Sequence, residues 1–115
     1  MFLCAWCFAN AQDSLSRELQ AQKYLQKAHQ LFKSQQLTQA QLTYERVVFL
    51  TKNKALQNEA LLYKTYCHKQ LKQFSAAQAT IERAEVLPQQ DSANYLLLYE
   101  AALTAYLAQD YKLSL

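Results

Sequence analysis

The chain contains no glycine and a single proline, Pro88. These two residues form the tight turns that join strands, so their scarcity argues against a β-rich fold. Glycine-free sequence also lacks the phosphate-cradling loop, the dinucleotide-binding fingerprint and the G-x-S-x-G nucleophile elbow, because each needs glycine for positive φ or for close backbone approach. Three large classes of enzyme are therefore disfavoured.

Charge is also sparse, with 12 Lys and Arg against 9 Asp and Glu and a net charge of +3. The basic residues are spread along the chain, mixed with acidic ones, and form no stripe, which is typical of solvated helix surfaces. Single-strand nucleic-acid binding is one alternative. Its best local candidates are lysines that could neutralise phosphate beside tyrosines that could stack on bases: Lys64, Lys69, Lys72, Tyr63 and Tyr66.

Few side chains here could carry metal or acid–base chemistry. Cys4 and Cys7 form a C-x-x-C inside an apolar run, with no second pair nearby. A zinc site would need closely spaced ligand pairs, whereas His29, His68 and Cys67 are not spaced in that way. We therefore expect no catalysis, no metal, no cofactor and no small-molecule substrate.

The first residues form a short apolar run that ends in Ala9-Asn10-Ala11. This pattern resembles the end of a secretory signal peptide, although no basic residue precedes Arg17. The run is shorter than the ~20 apolar residues that span a bilayer. We expect residues 1–11 to be a signal remnant of an exported periplasmic or envelope protein. The alternatives are an apolar helix covering one end of the fold, and a cytoplasmic protein.

The residues that are abundant, chiefly Ala, Leu, Gln, Lys and Glu, are good helix formers. Apolar residues recur in steps of three and four, and these steps predict an all-α domain over residues 12–115. The expected helices are residues 14–35, 38–53, 55–73, 75–87 and 92–109. Thr38-x-x-Gln41 and Ser75-x-x-Gln78 match capping boxes at the starts of the second and fourth helices.

The sequence repeats itself at an offset of 37 residues. Residues 37–41 align with residues 74–78, and residues 44–47 align with residues 81–84, without gaps. The same offset relates Tyr24, Leu61 and Leu98. Such periodicity indicates a helical-repeat array with copies at about 21–57, 58–94 and, in part, 95–115.

The spacing of small and large apolar positions resembles the tetratricopeptide repeat. The first copy has Ala28, Ala40, Tyr44 and Val47, and the second has Thr65, Ala77, Ile81 and Ala84 in the same register. The period is longer than the 34 residues of that family. The resemblance implies an antiparallel helix-pair solenoid, with two full repeats and a partial third, that binds a protein or peptide segment.

In that family the first helix of each pair lines a concave surface. The resemblance therefore implies a groove that binds an apolar or aromatic partner segment. The corresponding residues are Leu25, His29, Phe32 and Lys33, then Leu62, Tyr66, Lys69 and Gln70, then Tyr99, Leu103 and Tyr106. The same residues could instead pack against neighbouring helices.

The last predicted helix is apolar on several sides, which would leave an uncovered surface at that end of the array. We expect the chain to be the N-terminal part of a longer bacterial protein, by analogy with sensor or regulatory regions of envelope proteins. Self-association through this end is the alternative. Binding to a membrane surface is not expected, because no helix separates a basic face from an apolar one.

Overall fold

The computed structural model of the chain describes the backbone of residues 2–85 and 92–114, and the side chains of residues 13–85 and 96–109. Within these ranges it has helices and no strands, so the all-α prediction is confirmed. The helices are α1 (Phe2–Lys33), α2 (Leu37–Leu50), α3 (Lys54–Gln70), α4 (Phe74–Ile81) and α5 (Ser92–Ser114).

Three helix ends differ from the expected ones. α1 begins at Phe2 and not near residue 14, so the backbone of the N-terminal segment continues the first helix. α4 ends at Ile81, short of the expected residue 87, and α5 continues to Ser114. Pro88 and the side chains of Cys4 and Cys7 lie outside the described residues, so the signal-peptide reading of residues 1–11 stays a prediction.

No helix in the described part of the chain combines the length and the apolar character needed to cross a membrane.

The 37-residue repeat is visible in the backbone at the ends of α1 and α3. Gln35 and Lys72 both have positive φ, at 65° and 60°. In the first turn, Gln36 N–H donates to Leu31 C=O at 2.9 Å, and in the second, Gln73 N–H donates to His68 C=O at 2.8 Å. Both turns are Schellman motifs, which usually place glycine at the left-handed position. This chain makes the same turn twice without glycine.

The two predicted capping boxes do not form. The tight turns bring the chain back one residue early, so α2 begins at Leu37 and α4 at Phe74, and Thr38 and Ser75 fall inside the first helical turn. Neither helix has a side-chain cap. The Gln41 amide instead donates to Gln73 Oε1 at 3.2 Å, across the interface between successive copies.

The connection between α2 and α3 is held by polar side chains. Asn53 caps α3, since its side-chain oxygen accepts from Ala55 N–H at 3.0 Å and Leu56 N–H at 3.3 Å. Glu18 of α1 accepts from the Thr51 hydroxyl at 2.5 Å, which also lowers the pKa of this carboxyl. The first helix is thereby tied to the connection between α2 and α3.

Two apolar clusters form the core, and α3 contributes to both. The first cluster joins α1, α2 and α3 around Tyr44, Val47 and Cys67, and the second joins α3, α4 and α5 around Leu62, Ile81 and Leu97. Consecutive helices pack on one another, and α3 also contacts α5. α3 therefore has a back face toward the preceding helices, with Ala60, Tyr63, Lys64 and Cys67, and a forward face toward the following ones, with Leu62 and Lys69.

Candidate partner-binding cleft

A cleft of about 580 Å³ opens where α1, α3, α4 and α5 meet. This volume falls within the range of ~300–1,000 Å³ that is usual for ligand pockets. Its lining is mainly aromatic and aliphatic. The residues of this aromatic cleft are Phe32, Tyr63, Tyr66, Lys69, Gln70, Phe74 and Leu107.

The aromatic rings of the cleft form an edge-to-face series. The centroids of Phe32 and Tyr63 are 5.6 Å apart with an interplanar angle of 85°, and those of Tyr63 and Tyr66 are 5.5 Å apart at 86°. These distances and angles match the arrangement that aromatic quadrupoles favour. The rings are therefore held by one another and present a preformed apolar surface.

A buried ion pair forms the side of the cleft between α3 and α5. Lys69 Nζ donates to Glu100 Oε2, and both side chains are largely buried. The Lys69 ammonium also lies 5.3 Å from the centroid of the Tyr66 ring. Since Glu100 neutralises Lys69, the cleft offers little net positive charge despite the lysine in its lining.

Tyr66 keeps its hydroxyl proton over the whole physiological range. Burial, assisted by the negative charge of Glu100, raises the pKa of Tyr66 to about 12. A protonated phenol both donates and accepts hydrogen bonds. Tyr66 therefore gives the mainly apolar cleft a polar group that can orient a ligand.

His29 contacts Tyr63, which lines the cleft, and joins it to the core residue Tyr44. Its Nδ1 is 2.6 Å from the Tyr44 hydroxyl, its ring centroid is 4.6 Å from that of Tyr63, and its Nε2 is 3.9 Å from a Glu59 oxygen. Burial raises the pKa of Tyr44 above its ordinary value, so this phenol keeps its proton and shares a hydrogen bond with Nδ1. The contact holds the His29 ring between Tyr44 and Tyr63.

The structure brings together four of the eleven residues predicted for the groove: Phe32, Tyr66, Lys69 and Gln70. Leu25 and Leu62 are buried in the two core clusters. His29 and Leu103 are half-buried, and Lys33 is exposed outside the cleft. Tyr99 and Tyr106 are exposed on another face of α5.

Tyr63, Phe74 and Leu107 line the cleft but were not in the predicted set. Leu107 could have been found from the repeat, because it lies 37 residues after Gln70, which itself lies 37 after Lys33. Tyr63 belongs to the back face of α3, and only the packing of α3 on α1 places its ring beside Phe32. Phe74 is the first residue of α4, where the tight turn directs it toward α3.

The described cysteine and histidine side chains considered above for catalysis or metal binding are buried or hydrogen-bonded within the fold. Cys67 is fully buried, and burial raises the pKa of its thiol to about 11, so it is protonated and shielded at neutral pH. His68 contacts Gln41 at 3.1 Å and Gln73 at 2.7 Å, and burial lowers the pKa of its imidazole. Among the described residues, no three His, Cys, Asp or Glu side chains lie close enough together to bind a metal ion.

Two of the lysines considered for nucleic-acid binding are engaged within the fold. Lys64 Nζ lies 2.9 Å from Glu45 Oε2, and Lys69 pairs with Glu100. Lys72 is exposed at the end of α3. These pairs reduce the positive charge that a phosphate would meet near Tyr63 and Tyr66.

A second cavity of about 310 Å³ lies between the N-terminal part of α1 and the end of α2. Its lining carries charges of both signs, from Asp13, Arg17, Glu18 and Lys52. Glu18 is already engaged with Thr51 and with the Lys52 backbone N–H. Charges that balance one another give this cavity no preference for an ion of either sign.

Searches of protein-family models, of curated proteins and of solved structures return no significant match to this chain.

Proposed function

We propose that the chain is a tetratricopeptide-type interaction scaffold that holds an apolar or aromatic segment of another protein in the aromatic cleft. The observation that carries the proposal is the position of the cleft. Phe32, Tyr66 and Leu107 come from the first helices of the three copies, which is where such arrays bind their partners. The recurrence of the same turn 37 residues apart supports the repeat architecture.

The chemistry of the lining defines the partner. Edge-to-face aromatic rings and Leu107 suit one or two large apolar side chains, which supply most of the binding energy in such sites. The Tyr66 hydroxyl and the exposed Gln70 amide can pair with backbone groups of an extended or helical segment. The Lys69–Glu100 pair leaves the cleft without a strong net charge that would attract an acidic group, so the segment needs no acidic motif.

The test uses a display library of random 12-residue peptides, selected on the full chain. Binding of the selected peptides is then measured by fluorescence anisotropy. We expect apolar and aromatic consensus residues, and at least tenfold weaker binding to Phe32→Ala and to Leu107→Glu. Phe49→Ala is the matched control, since Phe49 lies on α2 and is 87% exposed.

Two outcomes would contradict the proposal. The selection could return no specific peptide, or the selected peptides could bind the cleft variants as tightly as they bind the parent chain. Amide chemical shifts give an independent check, because a bound peptide should move the signals of Tyr63, Tyr66 and Gln70. Circular dichroism confirms that each variant is folded.

A further inference from the structure

α5 is apolar on nearly every side. From residue 96 to residue 109 it has one charged residue, Glu100, which is buried against Lys69. A helix that is hydrophobic all round normally lies inside a protein. α5 nevertheless exposes 52% of Leu98, 64% of Tyr99 and 66% of Tyr106, with the exposed Ala102 between them.

The internal repeat identifies this surface as one that is covered elsewhere in the molecule. Leu98, Tyr99 and Ala102 correspond to Leu61, Leu62 and Thr65 of α3 and to Tyr24, Leu25 and Ala28 of α1. In α3 these three positions are buried, and in α1 Leu25 and Ala28 are buried while Tyr24 packs on the first cluster. The α5 forward face, defined as Leu98, Tyr99, Ala102 and Tyr106, therefore has the residue types of an interior contact.

The back face of α5 is covered in the way that the repeat predicts. Leu97 and Thr104 correspond to Ala60 and Cys67 of α3, and all four residues are buried. Leu97 packs against Leu62 and Ile81 in the second cluster. α5 thus packs on the preceding copy in the register that the repeat predicts. Among the described residues, none covers its forward face.

The chain itself disfavours head-to-tail stacking as the way to cover this face. The positions of α1 that correspond to the α3 back face are polar and exposed: Lys23, Gln26, Lys27 and Gln30. Placing Lys23 and Lys27 on the uncharged forward face of another copy would bury two ammonium groups without partners, which is costly. A partner surface without charged side chains therefore suits the α5 forward face better than the exposed side of α1 does.

We propose that the α5 forward face pairs with the same face of a second copy of this chain, in an antiparallel two-fold contact centred near Ala102. The face is uncharged, so bringing two copies together creates no like-charge repulsion. Tyr99, Ala102 and Tyr106 are spaced by three and four residues and form one line along the helix. In an antiparallel pair, Tyr99 would pack beside Tyr106 of the partner subunit, with the small Ala102 allowing close approach.

Such a contact is isologous and closes at two copies. One helix face is smaller than the ~800 Å² per partner of a standard stable interface. We therefore expect a dimer that dissociates on dilution. The proposal does not depend on the aromatic cleft, which lies on a different side of α5.

The first experiment measures the mass of the full chain under reducing conditions by light scattering and by sedimentation, over a hundredfold range of concentration. We expect a monomer–dimer equilibrium. Tyr99→Lys/Tyr106→Lys should remain monomeric at every concentration, whereas Phe49→Lys, on the exposed surface of α2, should dimerise like the parent. Circular dichroism establishes that all three proteins are helical.

The second experiment locates the contact. Ala102→Cys in a Cys4→Ser/Cys7→Ser chain should form a disulfide-linked dimer on mild oxidation, while Ala76→Cys, on the exposed side of α4, should not. A parent chain that is monomeric throughout the range overturns the proposal and leaves the face to another occupant. A dimer that survives the double lysine substitution also overturns it, because the contact must then lie elsewhere.

Discussion

The contact between α1 and α3 and the contact between α3 and α5 are built on the same positions with different chemistry. In the first, Phe32 packs edge-to-face on Tyr63. Thirty-seven residues later, the same two positions hold Lys69 and Glu100, which form a buried ion pair. The same two repeat positions are therefore in contact in both places, but the contact is aromatic in the first and ionic in the second. At this pair of positions the contact between the helices is kept although the residue types differ.

The second helices show the same exchange. Tyr44 is fully buried in the first copy and is bonded to His29, whereas its equivalent Ile81 is buried in the second cluster with Leu62 and Leu97 and has no side-chain hydrogen-bonding group. At this position the first copy therefore combines a hydrogen bond with apolar packing, and the second copy has apolar packing alone. Substitutions at matched positions of the two copies should therefore lower the free energy of unfolding by different amounts.

The largest expected effect is that of Tyr44→Ala. It removes a buried aromatic ring and leaves His29 without its partner, and we expect a loss of about 4 kcal/mol in the free energy of unfolding. Ile81→Ala should cost less, about 3 kcal/mol, because it deletes fewer atoms and no hydrogen bond. Urea unfolding followed by circular dichroism measures both. A smaller loss for Tyr44→Ala than for Ile81→Ala would contradict the comparison.

Glu100→Ala should destabilise by about 3 kcal/mol, because it leaves the Lys69 ammonium buried without a counter-charge. The double variant Lys69→Phe/Glu100→Tyr copies the first contact into the second and should recover most of that loss. The readout is again the urea midpoint, compared across the single variant, the double variant and the parent. If the double variant were no more stable than Glu100→Ala, the two contacts would not be interchangeable.

Acid should weaken the ion pairs by which Glu45 of the first copy holds Lys64 and Arg83 of the second. The Arg83 guanidinium, followed by Lys64, lowers the pKa of Glu45 from 4.5 to about 2. This stabilisation is complete above pH 4.5 and is lost as the pH falls from 4.5 toward 2. Because these groups are partly exposed, we expect about 1 kcal/mol.

Glu45→Gln should flatten the decline in stability over this pH window. Glu82→Gln is the matched control, since Glu82 is the repeat equivalent of Glu45 and accepts a hydrogen bond from Gln78 at 3.2 Å. Thermal unfolding at several pH values between 2 and 6 provides the measurement. Equal pH dependence in the two variants would show that the Glu45 pairs do not hold the copies together.

The smallest expected effect concerns the two glycine-free turns. Gln35 and Lys72 occupy the left-handed region, which costs a residue with a Cβ atom roughly 1 kcal/mol. Replacing either by glycine should raise stability by about 0.5 kcal/mol, after allowing for the greater freedom of glycine in the unfolded chain. The gain should be similar at both sites. A gain at only one would mean that the turns are not equivalent in solution.

Much of the fold follows from local patterns that a sequence displays directly. Composition and apolar spacing predict helices, and the 37-residue offset predicts that Ala40 and Ala77 occupy equivalent buried positions, as they do. The capping boxes failed because the Schellman turns end at Gln36 and Gln73, which are the N-cap residues of α2 and α4, so Thr38 and Ser75 fall inside the first helical turn. The turn forms through two backbone hydrogen bonds at each site and begins the next helix one residue early.

The candidate site was harder to predict because α3 is apolar on more than one side. Leu62 and Tyr66 are both apolar positions of α3, yet Leu62 packs in the core and Tyr66 lines the cleft. Periodicity locates an apolar stripe but does not say which part of it a neighbouring helix covers. Tyr63 entered the cleft only because α1 brings Phe32 against it.

The sequence by itself determined the helical class, the repeat period and the residues that recur at each small position, because these depend on local propensity and on spacing along one chain. Tertiary structure alone decided which apolar residues became core, which became cleft and which remained open on α5. Those outcomes depend on how helices distant in sequence pack, and the spacing of apolar residues along one chain does not record which of them a distant helix covers.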